Sequence, residues 1–164
     1  MPSLFELLTE FQSSSIGVTV RGLGGWGYAL INLFHLLGVA VLGGAVLLMD
    51  LRLMGWRRHI PLAYVTSLAL PVAISGFILA VMTGILLLSA NASDYAGNPF
   101  LWIKFFGLLF ALANAWWAHQ IPAWKNRRQM ELTDSDNAAL ALAGFGSLVC
   151  WIVVISAGRL IGYW

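Results

Sequence analysis

Four long stretches without a formally charged residue constrain this chain more than any other feature. They cover residues 22–49, 60–93, 105–124 and 137–158. Each can hold the ~20 apolar residues that an α-helix needs to cross a ~30 Å hydrocarbon layer. We therefore predict an all-α integral membrane bundle of four transmembrane helices, at about residues 26–49, 64–90, 99–119 and 138–162, forming a single domain over residues 1–164.

The composition supports this class, and the basic residues predict an orientation. The chain is 60% hydrophobic and 10% charged, with a net charge of +2, whereas soluble domains are about 45–50% apolar and about 25% charged. Because short cytoplasmic loops are enriched in Lys and Arg, we expect both basic loops in the cytoplasm and both termini outside. The net charge then reflects topology, and we expect no nucleic-acid partner. The basic loop residues are Arg52, Arg57 and Arg58 in one loop and Lys125, Arg127 and Arg128 in the other.

Residues 1–25 precede the first predicted helix and have a polar character of their own. Ser3 and Glu6 have the spacing of a capping box. Leu4, Leu8 and Phe11 then share one helical face, which predicts a short helix in the membrane interface. We interpret the Ser/Gly-rich residues that follow as a flexible link.

Polar side chains inside membrane helices are costly and are candidates for function. Tyr28, Asn32 and His35 are spaced four and three residues apart, so they form one stripe on the first helix. Counted from the outer helix ends at 1.5 Å per residue, His35 lies ~13 Å deep, Met82 ~12 Å, Cys150 ~18 Å and Lys104 ~8 Å. These four residues can share one cavity in the outer half. His119 lies ~30 Å deep, so it cannot bind the same iron as His35 within one protomer.

Three interpretations of His35 stay open at this point. It can be a neutral imidazole hydrogen-bonded to Asn32, Tyr28 or another helix. It can bind haem, with the second axial position open, filled by Met82, or supplied by the same histidine in a two-fold homo-oligomer. It can bind copper together with Met82 and Cys150, because thiolate and thioether ligands favour Cu(I).

Three further residues are candidates for cofactor contact. Lys104 and Arg159 either extend to the lipid headgroups, as long basic side chains commonly do, or turn inward as a cationic pocket for haem propionates or a quinone oxygen. Trp151 lies deep enough in the fourth helix to pack against a planar cofactor. At the inner edge, we expect Asp50 and Arg52 to form a solvated ion pair.

Several reaction classes are not indicated. The sequence has no nucleotide-binding glycine loop, HExxH motif, nucleophile elbow or paired intramembrane carboxylates. Hydrolysis, phosphoryl transfer and ion-coupled transport are therefore disfavoured, and the sequence assigns no catalytic residue.

Several short motifs along the whole chain resemble those of a group of uncharacterised four-helix bacterial inner-membrane proteins. The motifs are His35-Leu-Leu-Gly, Asp50-Leu-Arg52-Leu, Thr83-Gly84, Asn98-Pro99, Lys104, Asn114, His119 and Gly158-Arg159. The order of these residues is more distantly similar to that of HemJ-type protoporphyrinogen oxidases and CopD-type copper-resistance membrane domains. The resemblance implies a haem b ligand at His35 and a supporting role for Lys104. The Asn-Glu-Pro element of the HemJ type does not occur in the fourth helix here.

Together these observations favour an inner-membrane redox protein. We expect haem b in the outer half, bound through His35, and electron transfer with quinone or a periplasmic partner. The expected contacts are His35, Lys104, Arg159, Asn32, Tyr28 and Trp151. The alternatives are a copper-binding or copper-transport protein that uses His35, Met82 and Cys150, and a cofactor-free membrane interaction subunit.

Overall fold

The fold is all-helical in the computed structural model, which describes residues 3–127 and 133–164. The helices in chain order are α1 (Leu4–Ser13), α2 (Ser15–Gly22), α3 (Gly24–Leu53), α4 (Leu62–Ala90), α5 (Pro99–Gln120), α6 (Pro122–Lys125) and α7 (Asp134–Leu160). Short 3-10 turns follow α4 at Ala92–Tyr95 and α7 at Ile161–Tyr163.

Helices α3, α4, α5 and α7 are each long and apolar enough to cross a membrane. This confirms the predicted four-helix class and makes the chain a multi-pass membrane protein. Its outer surface is apolar, as a bilayer requires: Trp26 is 87% exposed and Leu68 is 75% exposed. The fourth span begins earlier than predicted, because Thr133 and Asp136 form a capping box that starts α7 at Asp134.

The N-terminal segment forms two helices, where we predicted one helix and a flexible link. The predicted capping box is present, with Ser3 and Glu6 bonded to each other's backbone. The expected flexible link is wrong over Ser15–Gly22, which forms α2 after an N-cap at Ser14. The Ser14 hydroxyl accepts a hydrogen bond from the backbone N–H of Gly17 and so caps the start of this helix. Helices α1 and α2 pack against the end of α4 and the turn that follows it.

The four spanning helices pack in the order α4, α3, α7, α5. Within the described residues α4 and α5 make at most marginal contact, so the bundle is open between them. Small residues allow the close contacts, as is common between membrane helices. A Cβ atom on Gly76 of α4 would lie 2.6 Å from the backbone nitrogen of Leu42, and one on Gly144 of α7 would lie 2.9 Å from the carbonyl oxygen of Asp50.

The bundle has two distinct ends. We call the end that contains the loop between α3 and α4, together with α6, the basic end; the other, which holds both chain termini, is the terminal end. At the basic end, the buried Arg52 side chain donates hydrogen bonds to the carbonyl oxygens of Ile60 and Arg58 and fixes the loop. Arg128, which we counted among the basic loop residues, lies outside the described residues.

Candidate functional site

His35 lies in the terminal half of the bundle, where α3 meets α4. Its Nδ1 atom is 2.9 Å from the carbonyl oxygen of Ala80 and 3.2 Å from the hydroxyl oxygen of Thr83. A carbonyl oxygen only accepts hydrogen bonds, so Nδ1 carries the proton and Nε2 keeps its lone pair. The ring also lies against Gly84, where a Cβ atom would come within 3.1 Å of Cε1. The imidazole is therefore held in one orientation with its Nε2 atom unprotonated.

Lys104 of α5 turns toward the interior of the bundle. Its Nζ atom would lie 3.7 Å from a Cβ atom on Gly158 of α7. The residue is half-buried, and its charge acts on the His35 imidazole. The Lys104 side chain thus lies beside Gly158 of α7, and its ammonium is on the same side of the bundle as His35.

The other residues of the predicted stripe differ in their surroundings. Asn32 is exposed on the surface of α3, whereas Tyr28 is half-buried. Tyr28 lies near Tyr95, which is in the turn after α4. Burial, followed by the neighbouring Tyr28 and Asp94, raises the pKa of Tyr95. Two residues of the stripe, His35 and Tyr28, therefore lie toward α4, whereas the third, Asn32, faces outward.

Arg159 and Trp151 have contacts with residues other than His35. The Arg159 guanidinium stacks on the ring of Tyr163 and donates to its hydroxyl at the exposed end of α7. Trp151 packs against the buried cluster that includes Val46 and Met49, nearer the basic end. Its expected role beside a cofactor at His35 stays a prediction.

The copper hypothesis also stays a prediction. Met82 is 62% exposed on α4, next to Thr83, which faces His35. Cys150 is half-buried on α7. Within the described residues no group of three or more His, Cys, Asp and Glu side chains could hold a metal ion.

A cleft of about 320 Å³ lies in the half of the bundle toward the basic end. Its two walls are α4 and α5, the helices that do not pack on each other, and its floor is formed by α3 and α7. The lining is mainly apolar and includes three aromatic rings, from Phe77, Trp124 and Trp151. The polar side chains in the lining belong to Asp50, Asn114, His119 and Ser147.

Asp50 is the functional candidate that sequence reasoning missed. It is 3% exposed, and its Oδ2 atom has no hydrogen-bond partner among the residues that the structure describes. The expected solvated ion pair is wrong, since Arg52 is also buried and donates to backbone carbonyls of the loop. Leu42, Val46 and Asp50 lie on one face of α3, and all three are buried.

Comparison with known proteins yields a family and no further relative. No curated protein and no solved structure matches the chain. Residues 7–164, which include every spanning helix, the His35 region and the cleft, match one family model. The chain therefore belongs to DUF6644, a family of unknown function.

Proposed function

We propose that this protein is a membrane redox protein that binds haem b through His35 and exchanges electrons with quinone or a periplasmic partner. The observation that carries the proposal is the hydrogen bond from His35 Nδ1 to the carbonyl oxygen of Ala80. Histidines that bind metal commonly donate their second ring nitrogen in this way, which fixes the tautomer and makes the ligating nitrogen more basic.

The residues around His35 fit one axial position of a haem. The imidazole offers Nε2, and the Lys104 ammonium offers a positive charge on the same side of the bundle. An ammonium that is partly removed from water gains from an anionic neighbour, and a haem propionate would be such a neighbour. Bound haem would supply one-electron redox chemistry, whose potential depends on the axial ligand, burial and hydrogen bonding.

The chain's own part would be to hold and orient the group. Thr83 and Ala80 fix the imidazole plane, since the Thr83 hydroxyl donates to the Leu79 carbonyl and so presents a lone pair to His35 Nδ1. Besides His35, Met82 or the same histidine of a second copy would be able to hold the group, since a two-fold dimer places equivalent residues at equal depth.

The orientation and the compartment are parts of the same proposal. The basic end would face the cytoplasm of a bacterium and the terminal end the periplasm, because positive loops are retained inside. The His35 region would then lie in the periplasmic half of the inner membrane, within reach of a periplasmic electron partner.

A visible absorption spectrum of the full chain, oxidised and then reduced, tests the haem site. The protein is produced with haem available and compared with His35→Ala. The matched control is His119→Ala, because His119 Nδ1 also bonds to a backbone carbonyl, that of Ala115. We expect a Soret band and sharp reduced bands that disappear only in His35→Ala. A colourless protein, or bands that persist in His35→Ala, would contradict the proposal.

A further inference from the structure

We propose that the cleft between α4 and α5 binds a lipid-soluble aromatic diol of the hydroquinone class, with a ring hydroxyl donating to the Asp50 carboxyl. It would be a site for the electron partner, and only that role rests on the proposed function. The binding itself is argued from the cleft and does not depend on haem.

The polar groups of the cleft call for a hydrogen-bond donor. Asp50 Oδ2 accepts no hydrogen bond from the described residues, although the residue is 3% exposed. His119 Nδ1 donates a hydrogen bond to the carbonyl oxygen of Ala115, so its Nε2 is also an acceptor. A buried acceptor without a donor is costly, and a ligand hydroxyl would remove that cost.

The charge around the cleft favours a neutral donor over an ammonium. The buried Arg52 lies at the same end of the bundle as the cleft, where its side chain donates to backbone carbonyl oxygens. This cation would repel a cationic ligand, whereas a hydroxyl group carries no charge to be repelled.

Size and wall chemistry suit a small aromatic ring. The cleft volume is about 320 Å³. The volume is at the lower end of small-molecule sites, which span ~300–1,000 Å³. The three aromatic side chains, Phe77, Trp124 and Trp151, can contact a planar ring by offset or edge-to-face packing.

The route into the cleft also favours a lipid-soluble molecule. Because α4 and α5 are apart, the cleft opens between two spanning helices. A molecule that is dissolved in the bilayer can enter there, and its apolar tail can stay among the lipids. Asp50 on the floor and His119 on the α5 wall each offer an acceptor, one for each hydroxyl of a diol.

The test measures binding of a tritiated decylhydroquinone, kept reduced under anaerobic conditions, to the full chain in lipid nanodiscs. The comparison probe is the dimethyl ether of the same compound, which has the same ring but no donor. We expect saturable binding of the diol and about tenfold weaker binding of the ether, the size of a lost hydrogen bond to a carboxylate. Equal binding of diol and ether would overturn the proposal and indicate that lipid chains alone occupy the cleft.

Paired variants locate the site. Ala115→Trp adds an indole to a cleft-lining position of α5, and Ala113→Trp adds the same group to an exposed position of α5 outside the lining. We expect loss of diol binding in the first and normal binding in the second. Asp50→Leu removes the carboxyl without leaving a buried charge, and we expect about tenfold weaker diol binding and no remaining preference over the ether.

Two further results would overturn the proposal. One is diol binding that is the same in Ala115→Trp and Ala113→Trp. The other is a change of oligomeric state in Ala115→Trp alone, which would mean that a second copy covers the cleft. Measuring the diol in His35→Ala separates the two proposals, because binding that persists there without haem supports the cleft whatever the fate of the haem site.

Discussion

Gly38 and Gly76 face each other where α3 and α4 cross, and neither position has room for a side chain. A Cβ atom on Gly38 would lie 2.7 Å from the backbone nitrogen of Ala80, and one on Gly76 would lie 2.6 Å from that of Leu42. This close contact fixes the rotation of α3 against α4. It thereby directs His35, three residues before Gly38, toward the carbonyl oxygen of Ala80.

We expect Gly76→Ala to destabilise the packing of α3 on α4. The added methyl group meets backbone atoms, which cannot move aside as a side-chain end can, and overpacking of this kind costs about 1–3 kcal/mol. Gly44→Ala is the matched control, because the same change on α3 meets no atom within 4 Å. Denaturant unfolding in mild detergent measures both variants, and equal stability of the two would contradict the expectation.

Thr83→Val is expected to weaken haem binding without removing it. Valine has nearly the shape of threonine but no hydroxyl, so His35 Nδ1 keeps only the Ala80 carbonyl. Loss of such a supporting hydrogen bond reduces metal-site affinity by ~10–100-fold, and we expect the lower end because one bond remains. Titration of haem into haem-free protein measures the change. Ser75→Ala removes an exposed hydroxyl on the same helix, bonded to Pro71, and should leave the affinity unchanged.

Lys104→Met separates a cofactor role from a structural one. Within residues 3–127 and 133–164 no acidic side chain acts on Lys104 electrostatically, so removing the ammonium removes a burial cost. The haem-free variant should unfold at the same temperature as the unmodified chain or a higher one.

The same variant should bind haem about tenfold more weakly, as expected when one partner of a partly buried charge pair is lost. Arg159→Gln is the control, because Arg159 contacts Tyr163 at the surface. A variant of Lys104 with normal haem affinity would show that the ammonium has no part in binding.

We expect the protein to lose stability at alkaline pH because the phenol of Tyr95 is partly buried. Burial, followed by the neighbouring Tyr28 and Asp94, raises the pKa of Tyr95 above its usual value of about 10. The folded protein therefore favours the neutral phenol, and this contribution is complete below pH ~10 and is lost as the pH rises through the raised pKa.

Thermal unfolding across the alkaline range, together with the ultraviolet absorption of tyrosinate, measures the effect. Tyr95→Phe should unfold with a smaller dependence on alkaline pH than the unmodified chain. Tyr64→Phe, at a position that is 67% exposed, should not change that dependence. Identical profiles for the Tyr95 variant and the unmodified chain would contradict the expectation.

Local signals predicted the four spans and some of their ends, and they did so for physical reasons. Hydropathy shows where a helix crosses a bilayer, because backbone groups in lipid must be bonded within the segment. Capping signals such as Ser3 with Glu6, and Asn98 before Pro99, act within one turn and can be read from neighbouring residues.

Helix rotation could not be predicted in the same way. Helices α3, α4 and α5 are apolar on all sides, so the pattern does not distinguish the lipid face from the packed face. Asn32 therefore joined the predicted stripe, although it is exposed. We predicted that Asp50 is solvated, although the contact between Gly144 and the Asp50 backbone turns that part of α3 inward. These outcomes depend on contacts between residues far apart in the chain.

The gap between α4 and α5 also has a consequence for how the chain is assembled. The molecule consists of two helical hairpins, α3 with α4 and α5 with α7, and the main seam between their spanning helices in the described part of the chain is that of α3 with α7. Gly144 lies in that seam, against Asp50 and Leu53. Each hairpin is continuous in sequence and could insert into the bilayer by itself, so closing the seam at Gly144 would be the step that turns two inserted halves into one protein.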